Sequence, residues 1–160
     1  GYTENNGQKN KGGPITSTLA FKAAAAGSYH SVFATTNQVY TCGLNSHGQI
    51  GASSIALFTN VYRLQAMSGL PSNLIIKGVA ASVYNSYIVY TNGDLYASGS
   101  NEKGQLGVAS TTTHSLVMIK VPVPDPVSMI AAGNEHILAL TTTGLVYAWG
   151  SNCKLIQLVF

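Results

Sequence analysis

Short apolar runs recur along the chain between clusters of Gly, Asn, Ser and Thr. Such punctuation reads as strands joined by turns. Tyr29–Thr35 and Val39–Cys42 form one predicted pair of strands around a tight turn at Asn37-Gln38. Ile88–Tyr90 and Leu95–Ala97 form a second pair around Thr91-Asn92-Gly93-Asp94. Asn-Gly between two apolar runs is the strongest short-range hairpin signal. Thr143-Gly144 marks the turn of a third hairpin. Ile15–Phe21, Asn60–Leu64 and Leu116–Val123 are further predicted strands, the last running into Pro122, Pro124 and Pro126. Proline cannot donate to a ladder, so these belong at strand ends or edges. Ala23–Ala26 has helical propensity. Its matched positions, Val79-Ala80-Ala81 and Ile130-Ala131-Ala132, adjoin β-rich sequence. A strand setting with closely approaching backbones is therefore expected there.

The hairpins are copies of one unit. Ala131–Asn152 reads AAGNEHILALTTTGLVYAWGSN, Ala80–Asn101 reads AASVYNSYIVYTNGDLYASGSN, and Ala25–Asn45 reads AAGSYHSVFATTNQVYTCGLN. The glycine closing each second hairpin strand is Gly43, Gly99 and Gly150, at intervals of about 50 residues. Four short strands with their turns fill such a period, as in a propeller blade. The divisions expected are residues 1–10 as the remnant of a preceding repeat, 11–51, 52–107 and 108–152 as three repeats, and 153–160 as a divergent tail. The fold class expected is all-β, an incomplete β-propeller of about three four-stranded blades.

Composition narrows the function classes. Hydrophobic residues make up 46% and charged residues only 8%, against roughly 25% charged in an average soluble domain. A surface so poor in charge does little to oppose self-association. The net charge of +3 comes from scattered cations, which is unlike the clustered Lys and Arg of nucleic-acid binders. Cys42 and Cys153 occupy unmatched repeat positions and make no disulfide framework. A reduced, intracellular setting, cytoplasmic or nuclear, is expected. No apolar run approaches the ~20 residues of a membrane-spanning helix.

Ala-Ala-Gly-x-x-His, then Gly-x-Val-Tyr-x-Trp-Gly-x-Asn, then Gly-Gln-Leu-Gly resembles the repeat of the regulator of chromosome condensation family. Ala131–Asn152 carries the first two parts, and Gly48-Gln49-Ile50-Gly51 and Gly104-Gln105-Leu106-Gly107 carry the third. The resemblance implies a β-propeller, seven-bladed in the family's best-known members. Ser82 stands at the position of Gly27 and Gly133, Asn85 at that of His30 and His136, and Trp149 alone keeps the tryptophan.

No catalytic, cofactor-binding or metal-ligating residues emerge from the sequence, and no enzyme activity or cofactor is expected. His30, Asn85 and His136 read as hydrogen bonds within each blade, because Asn can replace the bonding of His but not its acid–base chemistry. His47 and His114 lack Cys, Asp or Glu at metal-ligand spacing. Gly99–Gly104 opens like a phosphate-binding loop, but Gln105 stands where Lys is required. Cys42 reads as buried and inert. Tyr40, Tyr96 and Tyr147 match by position and read as blade packing. Tyr29 and Tyr84 read as contact anchors. The function expected is a protein-interaction module, part of a larger propeller, with a small GTPase as a candidate partner and chromatin weakly supported. The alternative implied by the resemblance is guanine nucleotide exchange on a small GTPase.

Overall fold

The computed structural model describes residues 18–151 and the backbone of a last strand, Cys153–Leu158. The expected remnant at 1–10 lies outside the described residues. Strands β1 (Ala23–Ala26), β2 (His30–Ala34), β3 (Val39–Asn45) and β4 (Thr59–Ala66) form a first sheet. Strands β5 (Ile76–Ala81), β6 (Asn85–Tyr90), β7 (Leu95–Ser100) and β8 (His114–Val121) form a second. Strands β9 (Val127–Ala132), β10 (His136–Thr141), β11 (Val146–Gly150) and β12 (Cys153–Leu158) form a third. Each sheet is an antiparallel meander in chain order, and β1, β5 and β9 lie side by side. This is the blade arrangement of a propeller.

The sheets cross the divisions drawn on the sequence. Thr59–Ala66 and His114–Val121 complete the first and second sheets, each by following its repeat. Cys153–Leu158, where the repeat pattern fails, still completes the third. The strand expected at Ile15–Phe21 has residues 15–17 outside the described part, and 18–21 are not strand. The first strand is the alanine run instead. It pairs Ala23 with Ala34 and Ala26 with Ser31, and its small side chains admit the neighbouring inner strand.

Register is common to the three copies. His30 pairs with Gly43, Asn85 with Gly99 and His136 with Gly150. Each third strand also slips against its fourth at one place, between Thr41 and Gly43, Ala97 and Gly99, and Ala148 and Gly150. The extra residues lie on the fourth strand: 62–64, 116–118 and 154–155 stand opposite the single residues Cys42, Ser98 and Trp149. A bulge bends the strand and re-aims the side chain it carries. The glycines that follow have φ of 117°, 110° and 104°, where a side chain would be strained. A Cβ on Gly43, Gly99 or Gly150 would also strike the carbonyl oxygen of Tyr29, Tyr84 or Glu135.

The core lies between sheets, in two seams. The first joins Val32, Ala34, Val39 and Met67 to Ile76, Ile88, Tyr90 and Met118. The second joins Tyr87, Val89, Leu95 and Leu106 to Val127, Ile137, Ala139, Tyr147 and Trp149. Strand periodicity assigns the faces. The middle strand β6 is buried at every position, because a sheet covers each side. In β10 burial alternates, with Ile137, Ala139 and Thr141 covered and His136, Leu138 and Leu140 exposed.

Candidate functional site

Antiparallel connectivity divides each sheet into two ends. At one lie the β1–β2, β5–β6 and β9–β10 connections with the β3–β4 and β7–β8 loops. At the other lie the hairpin turns, such as Thr91–Asp94. The first, here the loop end, combines a repeated frame with unrepeated side chains.

The frame is polar and internally satisfied. Asn45 Oδ1 accepts from Ile50 N and Asn101 Oδ1 from Leu106 N, both at 3.1 Å. Their amide groups donate to Ala56 O and Thr112 O. Gln49 Oε1 accepts from His47 N and Gln105 Oε1 from Lys103 N, both at 2.8 Å. All four side chains are buried. Glycine punctuation reveals the loops from sequence, but these Asn and Gln side chains close them. Their recurrence at matched positions was the available signal. Gly104 N is bonded to Asn101 O at 3.1 Å. With Lys103 N taken by Gln105, the loop turns these amides inward and makes no phosphate cradle.

The carbonyls of Tyr29, Tyr84 and Glu135 belong to the same frame. They accept from Leu44 N, Ser100 N and Ser151 N at 2.8, 3.1 and 2.8 Å. The glycines described above leave room for these carbonyls. Each blade thereby presents one residue at an equivalent place.

The histidine position divides into two designs. Asn85 bonds within its own blade, donating to Ser100 O at 2.6 Å and Ser98 O at 3.3 Å, as expected. His30 instead crosses the first seam, with Nε2 3.0 Å from Ser86 Oγ. Ser86 Oγ donates to Gln49 O at 2.7 Å, so it accepts from His30 Nε2–H. His30 Nδ1 is left buried without a partner among the described residues. Burial lowers the His30 pKa to about 4, partly offset by the Asn85 carbonyl. His136, on the exposed side of β10, is solvent-facing. The two departures at Ser82 and Asn85 are coupled. A Cβ on Gly27 or Gly133 would strike the ring of His30 or His136. With the shorter Asn85 in place, Ser82 fits and donates to Asn85 Oδ1 at 3.2 Å.

Matched positions at the rim differ in chemistry: Ser28, Val83 and Asn134, then Tyr29, Tyr84 and Glu135, then His47 and Lys103. The inner connections border a depression of 280 Å³ lined by Gly27, Ser82, Gly133 and their neighbours. Beside it, Tyr29 and Tyr84 come together across the first seam, with ring centroids 6.3 Å apart. His47 lies 4.2 Å from Tyr84. Of the other aromatic residues singled out, Tyr147 is buried and donates to Asp125 at 2.7 Å, while Tyr96 packs edge-on against Tyr90. Cys42 is half-buried, and burial pushes its thiol pKa up. Among the described residues no three of His, Cys, Asp and Glu gather as a metal site. No described helix is long and apolar enough to cross a membrane.

The sequence model of the regulator of chromosome condensation repeat matches residues 21–49, 76–105 and 127–154. The chain belongs to the regulator of chromosome condensation repeat family. The matched segments each run from the inner strand into the Asn–Gln loop or its counterpart. The chain is 33% identical over 148 residues to the guanine nucleotide exchange factor SRM1 of Saccharomyces cerevisiae, covering 81% of this chain and 30% of that protein. Its fold is similar to the solved structure of yeast Prp20p, with a TM-score of 0.75, 26% identity and coverage of 81% and 33%. It is likewise similar to human WBSCR16, with a TM-score of 0.76, 24% identity and coverage of 84% and 34%. The chain thus spans about a third of these relatives.

Proposed function

We propose that the chain is a protein-interaction module, that the loop end is its partner-facing side, and that it acts without covalent chemistry. One observation carries this reading. The buried Asn and Gln of the loop end recur in the first two blades, whereas at the rim Ser28 is matched by Val83, His47 by Lys103, and Glu135 of the third blade stands where Tyr29 and Tyr84 do. Repetition serves the frame, and difference serves recognition. Yeast Prp20p has binding properties to Gsp1p and histones, which supports a protein partner of one of these kinds. A larger propeller is part of the proposal. Leu138 and Leu140 are 39% and 36% exposed, where the matched Tyr87 and Val89 are 0% and 2%, which supports a further blade against this face. An intracellular setting goes with it.

The test is surface-resolved binding. The chain is titrated with a Gsp1p-type small GTPase and with core histones. Ser28→Arg and Asn134→Arg, at the loop end, are expected to weaken binding at least tenfold. Thr143→Arg, at the turn end, is expected to leave it unchanged. Equal effects at both ends would refute the assignment. A second reading, exchange on a small GTPase, is favoured by the likeness to SRM1. Exchange needs no covalent step, and release of a fluorescent GDP from the GTPase measures it directly. No acceleration at micromolar protein would remove this reading.

A further inference from the structure

The loop end also specifies what its partner must present; this inference rests on the reading of that end as the partner-facing side. Tyr29 and Tyr84 come from different blades, yet their ring planes lie within 22° of parallel. His47 leans on Tyr84 at 34°. The trio is held from behind. The carbonyls of both tyrosines are bonded as described, His47 N is fixed by Gln49, and His47 Nδ1 shares a 2.8 Å hydrogen bond with Ser46 Oγ. Tyr29 remains 59% exposed despite its stacked neighbour. An ordered row of rings with its outer member open contributes little to the core. It costs little entropy to engage, which is what makes aromatic side chains good anchors.

Charge selects the occupant. The third residue of the row is Glu135, and Glu102 lies in the adjacent loop. Neither is ion-paired among the described residues. The other two described carboxylates are engaged elsewhere, Asp94 with Lys120 at 2.8 Å and Asp125 with Tyr147. Ring faces carry negative electrostatic potential, and carboxylates reinforce it. Both would repel a phosphate backbone.

We propose that Tyr29, Tyr84 and His47 form a seat for an arginine side chain presented by an extended basic segment of a protein partner, with Glu135 receiving a second cation further along. A guanidinium is planar, weakly hydrated and stacks on aromatic faces, whereas an ammonium is a compact, strongly hydrated charge. Arginine is therefore the preferred residue.

Fluorescence anisotropy tests this, with the full chain titrated into labelled nona-arginine, nona-lysine and oligo-dT. Nona-arginine is expected to bind most tightly. The double variant Tyr29→Ala, Tyr84→Ala is expected to weaken it about tenfold, and Glu135→Gln about threefold. Tyr84→Phe, which keeps the ring, is expected to bind like the parent. Thermal melting checks that the variants stay folded. Failure of nona-arginine to bind, equal affinity for nona-lysine, indifference to the double alanine variant, or tighter ring-dependent binding of oligo-dT would each overturn the proposal. Asn134→Arg separates the two levels. Should it block nona-arginine while the ring variants do not, the loop end stands and the aromatic seat falls. Should no loop-end variant matter, both fall.

Discussion

The two seams begin from the same register and finish differently. In both, the backbone carbonyl of the loop glutamine points at the next blade. In the second seam Gln105 O accepts from Trp149 Nε1 at 2.9 Å and from Tyr87 OH at 3.1 Å. In the first, Gln49 O accepts from Ser86 Oγ, which is in turn bonded by His30. The residue matching Trp149 is Ser98, whose hydroxyl finds no partner among the described residues. Met67 and Met118 pack at Gly51, where Trp149 packs at Gly107. Methionine's flexible chain suits such filling. The repeat thus fixes which buried carbonyl must be bonded, because an unbonded one is costly. It leaves open which side chain bonds it. One seam is closed by an indole and the other by a titratable relay.

Substitutions can break each part of that comparison. The largest effects, similar in size, are expected at Gly99 and Trp149. Gly99→Ala puts a Cβ against the Tyr84 carbonyl at a φ of 110°, and should cost about 3 kcal/mol or more in urea denaturation. Trp149→Ala empties the second seam and should cost about 3–5 kcal/mol. Trp149→Phe should recover most of this, leaving the ~1–2 kcal/mol of the lost indole bond.

The first seam should instead respond to acid. His30 has a folded pKa of about 4 against 6.5 unfolded, so the unfolded chain takes up the proton first as pH falls. The stability from keeping this imidazole neutral is complete above pH 6.5 and is lost as pH falls toward 4. The loss is on the order of 3 kcal/mol. His30→Asn, the residue of the second blade, should remove that dependence. Hydrogen exchange should localise the acid effect to the first seam. The smallest effect belongs to Ser98→Ala. Removing a buried hydroxyl without a partner should be neutral or stabilising by up to about 1 kcal/mol. A large loss there would mean that the two seams are more alike than their side chains indicate.

Most of the architecture was legible in the residues. Matched glycines and the Asn92-Gly93 turn gave three hairpins, and their spacing gave the propeller. The outer strands were harder to delimit, because Thr59–Ala66 and His114–Val121 lie in connections without a repeated motif. The inner strand Ala23–Ala26 was legible from its matched positions despite its helical propensity, which pairing with β2 overrides. At the site, Tyr29 and Tyr84 could be singled out as exposed aromatics. Their stacking could not, since it depends on two blades meeting. The role of His30 was likewise hidden, because its partner Ser86 belongs to the next blade. Trp149 is recognisable as the tryptophan of the repeat, but its bond to Gln105 was hidden because it crosses a seam.

The separation of frame from rim is most directly tested by exchanging rim residues between blades. Ser28→Asn with Tyr29→Glu, combined with Asn134→Ser and Glu135→Tyr, moves the third blade's pair to the first and the reverse. Every buried Asn, Gln and Gly is kept. Thermal and urea denaturation of this fourfold variant should show a loss of about 1 kcal/mol or less, the worth of the Tyr29–Tyr84 stack. A loss approaching that of Gly99→Ala would contradict the account, because the rim would then be part of what holds the blades together.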